Sequence, residues 1–493
     1  MIVEGLNMHS QRTNVPVMTV TVFIATFMAA IEGTIVSTAM PTIVGSLHGV
    51  RLMNWVIAVY LLTSAIATPV YGKLADMRGR KPVLLVGLGI FVVGSLFSGL
   101  SQSMIMLIIA RAIQGVGAGA IMPVTYTIIA DMYSLAKRAQ VLGLNSSAWG
   151  IAAVVAPLLG GLIVDQLSWH WVFIINVPIG LITMGLTAVF LYEKPRTSSS
   201  SLDIRGIWWL ALVLVCVLGA CELLQISHGT WYALVLLVGA GLSVWRFIAA
   251  EHVAADPVIS LQLFRSRTFI SQNIIAALIS GVVMGHEVYI PMWMQGILGM
   301  SATFGGFAVT PSSILWVVGS FVAGKMLPRM RVTRVLGIAL VDVLVGIAAV
   351  LCLSIHTVYP IFLGVSAVLG FGFGIIITST TVESQNVVGP DQIGMATSFN
   401  TLSRTLGQTL MISIYGIIFN GRISAGVAGH RGLDTNMMNK LVNSQTVHEL
   451  SAEVIPPLRG VLFSALHTVY LTCAVVVVLA LAANLLGHQR RRA

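Results

Sequence analysis

Six ionisable side chains stand inside stretches that are otherwise apolar: Glu32, Arg111, Glu222, Glu287, Asp342 and Arg404, with His286 beside Glu287. A charge held at the middle of a bilayer costs about 2.5–3.5 kcal/mol on insertion scales, so such residues are functional candidates by default. The chemistry open to them is simple. A carboxyl taken out of water binds a proton more readily, and a proton and an organic cation compete for the same carboxylate. Competition of that kind couples two fluxes without any bond being made. No other chemistry is visible: there is no Gly-x4-Gly-Lys-Ser/Thr loop for nucleotide phosphates, and no His/Cys cluster with metal spacing. The sequence implies no cofactor, no metal and no enzyme.

Depth sorts these residues. At about 1.5 Å per residue, Glu32 lies roughly 13 Å from the outer end of its apolar run, Arg111 about 10 Å and Glu287 about 16 Å, so the three share one layer. Glu32 and Glu287 are the candidate proton-coupling and substrate acids, and Arg111 is read as a partner that tunes an acid. Asp342 fits a structural pair or a snorkelled acid. Glu222 is near the end of its run and reaches water. Arg404 reads equally as structural or as a counter-charge, and His286 as a hydrogen-bonded histidine or a proton relay.

The elements that position these groups follow from composition. The chain has 493 residues, 57% hydrophobic and only 9% charged, with a mean hydropathy of +0.93. Soluble domains carry about a quarter charged residues. Apolar runs of bilayer length, roughly 20 residues, follow one another almost without pause, and they are continuous rather than alternating, which predicts helices rather than a barrel. Fourteen spans are expected between residues 16 and 487. The first apolar run is too long for a signal peptide and is expected to be retained. Cys216, Cys221, Cys352 and Cys473 lie in apolar runs, and no disulfide is expected. With the N-terminus inside, 20 of the 27 Lys and Arg fall on inner segments. Five (Arg51, Arg422, Arg431, Lys440, Arg459) fall on outer ones, and Arg111 and Arg404 lie within spans. That bias places both termini in the cytoplasm, and it makes the +10 formal charge a mark of topology rather than of nucleic-acid binding.

Two stretches repeat. "GKLADMRGRK" (72–81) follows the second span and "GKMLPRMRVTR" (324–334) the tenth. Spans 1–6 and 9–14 therefore read as two copies, and spans 7 and 8 (206–224 and 231–250) as an insert with polar flanks. The expected division is a six-helix bundle over 1–192, a two-helix insert over 193–268, and a second six-helix bundle over 269–493. The second bundle includes a long outer loop, 420–458, where "MMNKLVNSQTVHEL" (437–450) has the spacing of a short amphipathic helix, read as a lid or a solvated connector. Repeats of this kind are common in secondary transporters, with substrate held near mid-membrane between the halves.

At this point the chain resembles the major facilitator superfamily, and within it the fourteen-span drug:proton antiporters. "GKLADMRGRK" is similar to the superfamily's loop motif, "RAIQGVGAG" (111–119) to its fourth-span Arg-x-x-Gln-Gly motif, and "AVVAPLLGG" (153–161) to the fifth-span antiporter motif. "EGTIVSTAMPTI" (32–43) and "WHWVFIINVPIG" (169–180) resemble signatures of the fourteen-span group. There are departures: Glu32 stands where aspartate is usual, and Ala152 and Ala156 where glycine is usual. The resemblance implies an all-α polytopic membrane protein of two six-helix bundles plus two extra central helices. It implies that Asp76 caps or pairs with a helix start in the other half, that Gly72 and Arg80 belong to the same gating motif, and that Arg80 pairs with Asp131. Ala156, Pro157, Gly160 and Gly161 form the antiporter motif. It places the first, fourth and fifth helices around a cavity, for which Tyr60, Gln114, Trp149, Tyr289, Trp293 and Met294 are candidate lining residues. The expected partners are small lipophilic or cationic substrates, protons and the lipid bilayer. The expected state is a monomer in the cell membrane that exports such compounds in exchange for protons. Two alternatives stay open: a transporter of an amphipathic lipid or a specific metabolite, and a non-transporting membrane assembly or sensor protein.

Overall fold

The computed structural model describes residues 13–133, 135–193, 204–223, 229–253, 261–388, 393–430, 432–443 and 446–487, and every regular element among them is helical. In chain order these are α1 (Val15–Ser46), α2 (Met53–Arg78), α3 (Arg80–Gly99), α4 (Met104–Met132), α5 (Leu135–Gln166), α6 (Trp171–Ile174), α7 (Asn176–Phe190), α8 (Ile204–Leu223), α9 (Thr230–Val253), α10 (Arg267–Met292), α11 (Ala302–Met326), α12 (Val332–Leu351), α13 (Tyr359–Asn386), α14 (Ile393–Ala428), α15 (Thr435–Val442) and α16 (Ile455–Leu486). The sixth expected span is broken at Ile175 into α6 and α7, and α10 ends in a π-helical turn, Trp293–Ile297. Starts are set by short polar side chains: Asn14 accepts the Val17 N–H at 3.3 Å, and Ser103 the Met106 N–H at 3.2 Å.

Thirteen helical stretches among the described residues are long and apolar enough to cross a membrane, and Arg205–Ala220 of α8 is a shorter apolar helix. This is a multi-pass membrane protein. The exposed side chains are those that suit lipid, among them Ile105 and Ile109 on α4 and Trp231, Val238 and Trp245 on α9.

The repeat read in the sequence reappears in the packing. In the first half α1 packs on α5 and α7, α2 on α4, and α3 on α4 and α7; in the second, α10 packs on α14 and α16, α11 on α13, and α12 on α13 and α16. Each first-half pair has its counterpart. Between the halves α5 packs on α11 and α14 on α2, again equivalent pairs, and α1 meets α10. Small residues allow the close approaches: Gly117 of α4 against Phe91 of α3, and Gly370 of α13 against Ser312 of α11. The insert is a tight pair, α8 on α9, and Leu210, Leu214 and Leu218 of α8 pack against Leu62 and Ile66 of α2 and Leu406 and Leu410 of α14.

At the end of the bundle that carries α15, the halves are stitched by hydrogen bonds. The Thr42 hydroxyl donates to Gln295 at 3.2 Å, and the Gln295 amide donates to the Thr38 carbonyl at 3.4 Å. Tyr289 donates to Asn54 at 3.1 Å, Asn420 to the Arg51 carbonyl at 2.8 Å, and the Val50 N–H to Asn439 at 3.0 Å. At the opposite end, Gly79 joins α2 to α3 with φ +95°, a conformation that suits only glycine there.

Candidate functional site

Glu32 projects from the middle of α1 and is fully buried. It is not surrounded by lipid-like groups. Arg111 of α4 forms an ion pair with one carboxylate oxygen, and Asn176, at the start of α7, donates to the other at 2.5 Å. Arg111 also donates to Gln114 at 2.7 Å and to the Val56 carbonyl of α2 at 3.3 Å. Its guanidinium carbon lies 4.0 Å from the centre of the Tyr60 ring and 5.7 Å from that of Phe173, distances at which aromatic faces stabilise a cation.

Ser95 of α3 closes the network. Its hydroxyl donates to the Phe173 carbonyl at 3.0 Å and accepts from Gln114 at 3.0 Å and Asn176 at 3.2 Å. One donor and two lone pairs are thereby all used. Glu32, Ser95, Arg111, Gln114 and Asn176 are each at most 1% exposed, so one charged pair and its amide and hydroxyl partners bind α1, α2, α3, α4 and the α6–α7 junction into a unit. Sequence reasoning named Glu32, Arg111, Gln114 and Tyr60 but missed Asn176 and Ser95. The quoted stretch "WHWVFIINVPIG" already held Asn176, one polar residue in an apolar run.

Glu287 stands on α10, the counterpart of α1, and its surroundings differ. It is half-buried, and among the described residues it makes no hydrogen bond or ion pair. Beside it, His286 is 1% exposed with neither ring nitrogen partnered among the described residues, its ring 6.4 Å from that of Phe373. Tyr289, Trp293 and Met294 are fully buried. Trp293 is enclosed by Phe362, Phe463 and His467 at 5.5, 5.5 and 5.3 Å between ring centres. Trp149 is 44% exposed on α5. Asp342 is half-buried on α12, its carboxylate lying against Gly372 of α13.

In the loop motif, Arg80 lies 3.1 Å from the Asp131 carboxylate and 3.7 Å from that of Glu193. Glu193 also accepts the backbone N–H groups of Arg80 and Lys81, each at 2.9 Å, and so caps α3. Gly72 faces Pro123 of α4, which a methyl group there would meet at an ordinary contact distance of 3.8 Å. Asp76 belongs to α2, but its side chain lies outside the described residues, as does that of Glu222. In the antiporter motif, Ala156, Pro157, Gly160 and Gly161 are all buried. A methyl group on Gly160 would come within 3.0 Å of Ile35 on α1. One on Gly161 would come within 2.8 Å of the Ala302 carbonyl at the start of α11. The motif is therefore the surface on which α5 is wedged between α1 and α11.

The profile of the Major Facilitator Superfamily matches residues 22–411. The chain belongs to the Major Facilitator Superfamily. Among curated relatives of this superfamily, the Multidrug transporter protein MdtP of Bacillus subtilis is 32% identical over 478 residues, covering 91% of this chain and 88% of that protein. Multidrug resistance protein 3 of the same organism is 33% identical, covering 82% and 80%. The Multidrug efflux pump SdrM of Staphylococcus aureus is 28% identical, covering 82% and 89%. Among solved structures, a bacterial homologue of the human lysosomal transporter Spinster, in an inward-facing and occupied conformation, has a TM-score of 0.66 at 16% identity. That match covers 95% of this chain and 96% of that one, a likeness of fold.

Proposed function

We propose that this protein is a proton-coupled antiporter of the cell membrane that exports lipophilic, often cationic compounds by alternating access. The observation that carries the reading is the pair of intramembrane acids on equivalent first helices: Glu32, locked to Arg111 and Asn176, and Glu287, without a partner among the described residues. A carboxylate without a protein partner is open to a proton or a substrate cation, and one held by an arginine can change hands only when that pair is rearranged. The names of the multidrug relatives support the drug-exporting part. In this reading the chain crosses the membrane fourteen times as a monomer, with both termini in the cytoplasm. Residues 1–192 and 269–493 form the two bundles and 193–268 the insert. The α15 end faces outward and the Arg80 end inward.

The test is flux in proteoliposomes with an imposed pH gradient. A fluorescent lipophilic cation should be moved against its gradient only while the pH difference lasts. A one-for-one exchange of a monovalent cation for a proton moves no net charge and draws about 1.4 kcal/mol per pH unit, so it should be indifferent to voltage. Movement of a single lipid or metabolite class, unaffected by unrelated cations, would replace this reading with a dedicated transporter. No flux of any such probe would point to a sensor or assembly role.

A further inference from the structure

At the end of α5, one turn beyond Gly161, stands Asp165, which no motif covers. It is half-buried, and its carboxylate is seated on the first turn of α11. One oxygen accepts the Ala302 N–H at 3.1 Å; the other accepts the Thr303 N–H at 2.9 Å and the Thr303 hydroxyl. α5 belongs to the first half and α11 to the second, so this cap crosses the interface. Beside it, Gly161 lies against Thr303, and Gly306 of α11 against the Pro157 carbonyl. This approach is so close that the carboxylate cannot reach α11 unless the two helices are fully seated.

We propose that Asp165 is a latch holding the α15 end of the halves together, and that it must release in every transport cycle. The proposal rests on the alternating-access reading above. The physical reason is the strength of the contact. The first N–H groups of a helix have no partners within it and carry a partial positive charge, and a carboxylate that accepts several of them makes stronger hydrogen bonds than neutral pairs do. Most of the other cross-half hydrogen bonds at this end join amides, hydroxyls and backbone. Asp165 adds a negative charge whose value depends on α11 being in place. When the halves part, the carboxylate and the helix start both reach water at the rim, so opening leaves neither group buried without a partner.

The experiment measures opening directly, without substrate or gradient, in full-length protein whose own cysteines are replaced by alanine. Spin labels go at Leu100 and Val358, which are 52% and 61% exposed and lie at the α15 end of opposite halves. Wild type should give mainly one short distance. Asp165→Ala should raise the ratio of the long-distance to the short-distance population about tenfold, and Thr303→Val, which removes only the hydroxyl, should move it in the same direction by less. Ser103→Ala removes a cap of α4 that lies within one half and should leave the distribution as it is. Wild-type distances in Asp165→Ala would overturn the latch. So would an equal shift in Ser103→Ala, because the effect would then be general loosening. Failure of the flux test leaves this measurement standing, and the reverse holds too.

Discussion

Each oxygen of Glu32 meets a donor from a different helix, so the charge of Arg111 cannot be removed without stranding its partner. Arg111→Ala should cost about 3–5 kcal/mol, the scale for breaking a buried pair on one side. The variant should be poorly folded, with a lowered thermal midpoint in detergent. The double variant Glu32→Gln/Arg111→Gln strands no charge and should recover much of that loss while remaining unable to couple flux to protons. Equal instability in the double variant would mean that shape, not charge, holds the site. Ser95→Ala should be milder, about 1–3 kcal/mol, because it leaves the Gln114 and Asn176 amides each short of one acceptor. The sequence made Glu32 and Arg111 legible because a charge in an apolar run has no ordinary explanation. It hid Ser95 and Asn176 because a lone hydroxyl or amide in a span does have one. Glu193 was hidden differently: it is the first residue of the insert's polar flank, yet it caps α3 and faces Arg80. The charge of "GKLADMRGRK" is thus partly explained by an acid more than a hundred residues away.

Helices were easier to read as lengths than as faces. The expected span 206–224 is α8, Ile204–Leu223, and 231–250 is α9, Thr230–Val253. In water a helix shows which side is buried by where its apolar residues stop. In lipid both sides are apolar, so Trp293 at 0% exposure and Trp149 at 44% look alike in sequence. Among the described residues, a clear amphipathic stripe lies outside the spans, in α15. There the helix runs over Thr435–Val442, shorter than the 437–450 stretch expected, and buries Met438, Leu441 and Val442. Asp434 caps it, accepting the Met437 N–H at 2.6 Å, and Asn439 reaches across to the Val50 N–H. Asn439→Ala should therefore weaken closure of this end and raise the long-distance population in the same spin-label pair; an unchanged distribution would leave α15 a passive connector. The Lys440–Glu449 pair, 2.7 Å apart and exposed on its Glu449 side, should matter little by comparison. Its hydrogen bond from Lys440 holds the Glu449 carboxyl below its usual value. Any contribution is therefore complete above the ordinary glutamate range and is lost as pH falls through the lowered value. Glu449→Gln should differ most from wild type in thermal midpoint at neutral pH, and the difference should shrink as pH falls below the ordinary glutamate range.

Across the whole molecule, the α5–α11 and α2–α14 contacts are equivalent, and on the alternating-access reading a rocking of one half against the other must work on both seams at once. They are not equally covered. The α5–α11 seam is tightened by Gly161, Gly306 and Asp165, whereas α8 lies over the other, with Leu210, Leu214 and Leu218 between Leu62 and Ile66 of α2 and Leu406 and Leu410 of α14. The packing there is made by apolar side chains, which impose no fixed partner on α8 as the seam opens. α9 shields it only from outside: most of its large side chains, including Trp231, Val238 and Trp245, are exposed. On the alternating-access reading, the insert would be a cover that keeps lipid out of this seam without joining the halves rigidly. A disulfide from Leu218→Cys to Leu62→Cys, or from Leu214→Cys to Leu406→Cys, should leave proton-driven efflux near wild type, because each ties α8 to one half only. Both disulfides together bridge the halves and should stop transport, with activity returning on reduction. If one tether alone arrests the protein, α8 is a fixed part of the other half. If the double tether still transports, the halves do not part along this seam.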